Sequence, residues 1–179
     1  GMVFTELLDM AETTLGEEVV DDILDRLDLE NDGAYSAVGN YPCSELVKIV
    51  GAISDQTGLP GDELQRMFGR HMLQRFSKTY PQFFADKATV LDMLDAIENE
   101  VHVEVRKLYP DAELPTFGTE WLDGRTLRMT YRSQRPLVAF CQGLIEACAE
   151  HFGSEVEITQ ERHDSGATNV ATFLVRLTG

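Results

Sequence analysis

The sequence predicts an α+β fold: a helical N-terminal subdomain packed on a small C-terminal antiparallel sheet that one helix crosses. Three features carry that expectation. Apolar residues recur at helical spacing over roughly the first two-thirds of the chain, and after Pro115 the spacing shifts toward strict alternation. Pro136 then opens a second helical pattern between two alternating stretches.

Each element follows from its periodicity and its punctuation. A helix over about 2–15 carries Phe4, Leu7, Leu8 and Ala11, and after Gly16 another over about 17–29 carries Val19, Val20, Ile23, Leu24 and Leu27. Asn31-Asp32-Gly33 breaks the pattern, and residues 34–42, with Tyr35, Gly39 and Tyr41-Pro42, read as a loop. Ser44 with Glu45 behind it starts a helix whose inner face is Leu46, Ile49, Val50 and Ile53. Pro60 and Gly61 open the next, with Leu64, Met67, Phe68, Met72 and Phe76 on one side, and Tyr80-Pro81 closes it. A long helix over about 88–109 shows Leu91, Leu94, Ile97, Val101, Val105 and Leu108, ending where Pro110 disfavours a helical Tyr109. Residues 126–133 alternate like a strand. Pro136 begins a helix reaching about His151, with Leu137, Phe140, Leu144, Ile145 and Cys148 inward, and Gly153 ends it. Val156 and Ile158, then Phe173, Val175 and Leu177, flank a polar turn near Asp164-Ser165-Gly166 and read as a hairpin. The whole, residues 1–179, is expected to be one domain, with about 1–85 helical and about 86–179 holding the long helix and the sheet.

Composition narrows the function. A hydrophobic fraction of 43% with 26% charged residues is globular material, and no apolar run approaches the ~20 residues that cross a bilayer. The start lacks the basic segment and cleavage site of a secretory signal, and Gly1 ahead of Met2 reads as a residue added in cloning. The three cysteines cannot all pair, and Cys141 and Cys148 on one helix would lie about 10 Å apart along its axis; a reducing, cytoplasmic home is expected. A formal net charge of -16 opposes binding to nucleic acid or an anionic membrane. Four of the 15 basic residues, Arg125, Arg128, Arg132 and Arg135, nevertheless fall close together, where a small anion could bind. The acidic run Glu17, Glu18, Asp21, Asp22 and Asp25 reads as a solvated helix face.

The chemistry concentrates in Tyr131-Arg132-Ser133-Gln134-Arg135-Pro136, taken with the single His102 of the long helix. In an extended segment Tyr131, Ser133 and Arg135 share a face that Leu127 and Met129 begin, so an apolar strip runs into two hydroxyls and a guanidinium. Such a row suits a flat apolar ligand ending in carboxylates, which Arg135 can grip bidentately. Haem has that shape. His102, beside Val101 at the margin of the apolar stripe, reads by itself as a hydrogen-bonded structural residue and becomes an iron ligand only if the opposite wall supplies a haem-sized apolar pocket.

The segments Phe4-Thr5-Glu6-Leu7-Leu8-Asp9-Met10, Phe68-Gly69, Tyr80-Pro81, His102-Val103-Glu104-Val105-Arg106, Tyr109-Pro110 with Pro115, and Tyr131 to Leu137 make the chain resemble the haem nitric oxide/oxygen-binding (H-NOX) family over essentially its whole length. The resemblance implies the H-NOX fold with haem b (iron protoporphyrin IX) buried between the two parts. It makes His102 the proximal ligand, gives the propionates to Tyr131, Ser133 and Arg135, and sets Pro115 against the macrocycle. Val101 and Val105 then flank His102, with Phe76 a further contact. On the distal side it places Phe140 where oxygen-binding members carry a tyrosine, with Val3, Leu7, Met72 and Leu144 around it. None of these donates a strong hydrogen bond. The implied protein is a sensor without catalytic activity, selective for nitric oxide and open to carbon monoxide. It signals by release of the histidine to a separate histidine kinase or cyclic-di-GMP enzyme, or it is part of a larger protein.

Other readings are weaker. A haem-free module for a fatty acid or other carboxylate would keep the Arg135 row without needing His102. An enzyme working through His102 and Glu98 would need both open to solvent. Glu98 with His102, or His102 with Glu104, could suggest a non-haem metal, but either pair lacks a third ligand at suitable spacing. Cys141, Cys148, His151 and His163 raise zinc, which some family members bind near the chain end, but no cysteine follows His163 to complete the family's set. No nucleophile elbow, P-loop or dinucleotide fingerprint is present.

Overall fold

The computed structural model describes residues 2–27, 43–108 and 114–178, with the side chains of 2–4, 43, 44 and 108 outside that description. The expected loop over 34–42 and the Tyr109-Pro110 helix end lie outside the described residues. In chain order the elements are α1 (Met2–Leu15), α2 (Glu17–Arg26), α3 (Cys43–Thr57), α4 (Gly61–Thr79), α5 (Gln82–Ala85), α6 (Val90–Ala96), a π-helical turn (Ile97–Val101), α7 (His102–Leu108), β1 (Thr116–Asp123), β2 (Thr126–Ser133), α8 (Val138–His151), β3 (Val156–Arg162) and β4 (Asn169–Leu177).

Helix ends follow local chemistry. Thr89 and Asp92 form a reciprocal cap on α6: the Asp92 N–H donates to Thr89 Oγ1 at 3.3 Å, and the Thr89 N–H donates to Asp92 Oδ2 at 3.1 Å. Glu17 and Glu18 place negative charge in the first turn of α2, where the helix dipole favours it. Gly153, at φ 64°, lets the chain leave α8 in the left-handed region, and the Ser154 N–H then donates back to the Ala149 carbonyl.

The strands form one antiparallel sheet in the order β1-β2-β4-β3, so β2 and β4 are central. Their inward residues Leu127, Met129, Phe173 and Val175 are fully enclosed against Leu91 and Leu94 of α6 and Cys141, Ile145 and Cys148 of α8. A second core joins Leu7 and Ala11 of α1, Val20 and Ile23 of α2, Leu46, Ile49 and Ile53 of α3, and Leu64 and Phe68 of α4. Leu137 and Phe140 pack against this second core, so the segment entering α8 bridges the two.

The bridge is unusually close. A Cβ on Gly69 of α4 would meet the Phe140 carbonyl and lie 2.9 Å from the Leu144 nitrogen, while one on Gly143 of α8 would strike the Arg66 backbone. The crossing is flanked by Arg66, whose Nη2 lies 2.7 Å from Glu146 Oε2, and by an Arg70–Glu150 ion pair. Two expectations are corrected here. The long helix is not continuous α, because residues 97–101 form a π turn, and an unassigned strand, β1, precedes β2. Gly143→Ala should force α4 and α8 apart and lower stability by about 1–3 kcal/mol, the usual cost of overpacking. Urea unfolding checks this, and an unchanged midpoint would mean that the crossing is looser than its backbone contacts imply.

Candidate functional site

Between the α4/α8 layer, the α6–α7 segment and the sheet lies an apolar cavity of about 240 Å³, far above the ~10–15 Å³ that admits one water. Met72 and Phe76 line it from α4, Phe140 and Leu144 from α8, Val101, His102 and Val105 from the π turn and α7, and Pro115 from the approach to β1. Tyr131, Ser133 and Arg135 line it from the end of β2. Eleven of the expected residues therefore line one cavity. Val3 falls outside the described side chains. Leu7 does not line this cavity: α1 turns it toward Val50 and Ile53 of α3, where it lines a separate narrow pocket of about 30 Å³.

His102 reaches this wall because of the π turn. Its N–H donates to the Ile97 carbonyl, five residues back rather than four, so one extra residue is accommodated before it. The insertion brings His102 to the angular position that Val101 would hold in an unbroken helix, two turns beyond Leu94 and over the core. The ring is only 7% exposed and packs 5.4 Å, centroid to centroid, from Phe117, which in turn lies 5.9 Å from Tyr131. Phe117 drew no attention in the sequence. Its single cue is an aromatic residue just after Pro115-Thr116.

Electrostatics fix the histidine's state. Burial pulls His102 below its ordinary value, against the opposing pull of Glu98, and so keeps the imidazole neutral. Its Nδ1 lies 3.2 Å from Glu98 Oε2, and a neutral ring makes that contact by donating its Nδ1 proton to the carboxylate. Nε2 is then left with its lone pair for an occupant of the cavity. Burial pushes Glu98 up, but the Phe117 N–H at 2.9 Å, His102 and Arg106 outweigh it and hold the carboxyl below its ordinary value.

The polar end is built by a turn. Tyr131 Oη donates to the Arg135 carbonyl at 2.9 Å, and the Arg135 N–H donates to Ser133 Oγ at 3.0 Å. Those bonds curl the chain so that Ser133 and Arg135 both face the cavity, and the Ser133 hydroxyl proton stays available to an acceptor. Arg128 and Arg132 are exposed, with Arg128 paired to Glu120, so these two belong to the solvated face.

A neutral buried imidazole with its second nitrogen tied to a carboxylate, an apolar slot, and a hydroxyl and guanidinium across from it fit a metalloporphyrin with carboxylate tails. The Haem-NO-binding family profile matches residues 1–160. The chain belongs to the H-NOX family. It is similar to an Fe(II) unliganded H-NOX protein from K. algicida at 36% identity, with 100% of this chain and 96% of that one covered and a TM-score of 0.93. The fold also matches an H-NOX protein from S. oneidensis in the Fe(II)NO ligation state, at 24% identity, coverage of 100% and 99%, and a TM-score of 0.88. An oxygen-binding H-NOX domain related to soluble guanylate cyclases matches at 23% identity, coverage of 100% and 95%, and a TM-score of 0.84. No curated protein matches the chain.

An H-NOX chain is a haem-based gas-binding sensor domain, and it binds ligand without catalysis. Among the described residues no helix is long and apolar enough to cross a membrane. Cys141, Cys148, His151 and His163 do not converge, and the His/carboxylate cluster that does, Glu6, Asp9 and His71, is supplied with positive charge by Arg75, 3.4 Å from Glu6.

The α8 wall carries a pH signature. Burial pushes the Cys141 and Cys148 thiols up to about 12. In the unfolded chain both ionise near 9, so the native state binds two more protons between those values and loses stability as pH rises through that window. Between pH 10 and 11 the slope attributable to the pair should be about 2.7 kcal/mol per pH unit. Comparing urea unfolding of the wild type with Cys141→Ala/Cys148→Ala isolates it, and equal slopes would mean that the thiols are solvated.

Proposed function

We propose that this H-NOX domain is a nitric-oxide-selective sensor in which His102 is the axial ligand of haem b. The observation that supports the reading best is the pairing of His102, neutral and bonded through Nδ1, with an opposing α4/α8 wall of Met72, Phe76, Phe140 and Leu144. When bound, ferrous haem supplies a coordination position open to a diatomic gas. Tyr131, Ser133 and Arg135 would hold the propionates, with Tyr131 also bracing the turn that presents the other two, and Pro115 would press on the ring.

Selectivity follows from what the wall lacks. Bound oxygen becomes dipolar and gains from a hydrogen-bond donor, whereas nitric oxide and carbon monoxide need one less. Phe140 and Leu144 offer none, and the nearby Cys141 thiol is a weak donor. On this reading the signal would be release of His102, which would leave α7 and the π turn free to reposition, and a ligand biases such an equilibrium only through its different affinity for the two states. A separate histidine kinase or cyclic-di-GMP enzyme, in the cytoplasm, reads the altered surface.

The reduced protein should show an intense Soret band that shifts on adding nitric oxide and is unchanged in air; a colourless protein after haem reconstitution would end the reading. Phe140→Tyr should make the ferrous spectrum respond to air, and an unresponsive variant would remove Phe140 from the gas-facing wall. His102→Gly should lose the axial ligand and regain a five-coordinate ferrous spectrum with added imidazole. Iron coordination identical to wild type without imidazole would overturn the ligand assignment.

A further inference from the structure

Glu98 is tied on both oxygens. Oε2 accepts from His102 Nδ1 at 3.2 Å and from the Phe117 N–H at 2.9 Å, and Oε1 lies 3.4 Å from Arg106 Nη2. The Phe117 N–H belongs to β1, whose Phe117 is paired in register with Tyr131 of β2. The carboxylate is therefore fixed to the sheet and not merely to its own helix. Glu98 itself sits in the π turn, so the distortion that delivers His102 to the cavity also places its hydrogen-bond partner.

We propose that Glu98 is a positioning residue that sets the strength of the bond between His102 and the haem iron, and with it the ease of histidine release. The inference rests on the reading of His102 as axial ligand. A carboxylate that takes the Nδ1 proton in a hydrogen bond gives the ring imidazolate character and makes Nε2 a stronger donor to metal. Because Oε2 is pinned by the Phe117 N–H, it also fixes the ring's rotation against β1, the strand paired with the one that carries Tyr131. Arg106 works in the opposite sense: half-exposed at 45%, it draws charge toward Oε1 and away from the imidazole. The three groups together form a graded control on one coordinate bond.

The test is resonance Raman of the haem-loaded full chain, read at the iron–histidine stretching band of the unliganded ferrous state. Glu98→Gln keeps the shape, removes the charge, and should move the band to lower frequency and raise the five-coordinate fraction of the nitric oxide complex. Arg106→Ala should move the band the other way, and it decides the matter if Glu98→Gln does not take up haem. A pigmented Glu98→Gln variant with the wild-type frequency overturns the inference, as does an unshifted Arg106→Ala where only that variant loads. A wild-type protein that shows no iron–histidine band fails earlier, on the ligand assignment itself, so the two failures are distinguishable.

Discussion

The backbone contact between α4 and α8 at Gly69 and Gly143 is the constraint on which the rest depends. Two helices that meet without intervening side chains have a single close crossing available, and Arg66–Glu146 and Arg70–Glu150 hold the register on the outer side. That crossing lays Phe140 against Phe68, ring centroids 5.0 Å apart, and turns Leu144 toward the same space as Met72 and Phe76. One side of the cavity is thus set by backbone geometry and not by soft side-chain packing. Such a wall resists the compensating rearrangements that a softer, side-chain-packed wall would admit.

The opposite side is organised by a defect. An α-helix would carry Val101 inward two turns after Leu94, and the π turn substitutes His102. A π turn is disfavoured by itself, and here it is held at both ends: Glu98 is tied to the sheet, and Lys87 reaches Glu100 at 2.9 Å. Asp95 extends the stitching, accepting from Thr119 Oγ1 at 2.5 Å and from Trp121 Nε1 at 3.1 Å. The segment that carries the histidine is consequently fastened to β1 along one helical face, from Asp95 to Glu98, so movement of one is felt by the other.

Much of this was legible in the residues and some was not, for identifiable reasons. Helices α1 to α4 and α8 bury one stripe each, so their spacing reported them, and Gly16 and Gly153 marked ends they do form. The π turn was invisible because Ile97, Val101 and Val105, four apart, satisfy an ordinary helical stripe and conceal the extra residue. Strand β1 was missed because it is an exposed edge: apart from Phe117 its residues are exposed, Thr119 and Trp121 included though they bond Asp95, so burial imposes no alternation on them, and Trp121 and Leu122 stand side by side. For the site, Tyr131 and Ser133 share a face because a strand's period is rigid, whereas Arg135 lies past the end of β2 and comes to the same cavity through a turn that alternation does not report. Leu7 packs in the second core, since a helical stripe tells which face is buried but not which of two cores receives it.

Cys141 and Cys148 give the pocket one further property. A sulfur that remains a thiol is a poor nucleophile, and burial holds both in that form across the physiological range. They fill volume as soft apolar groups while resisting oxidation and nitrosation, the covalent reactions that reactive nitrogen species impose on exposed thiolates. The α8 wall therefore presents protonated sulfur and apolar volume to whatever enters the cavity, and no reactive thiolate.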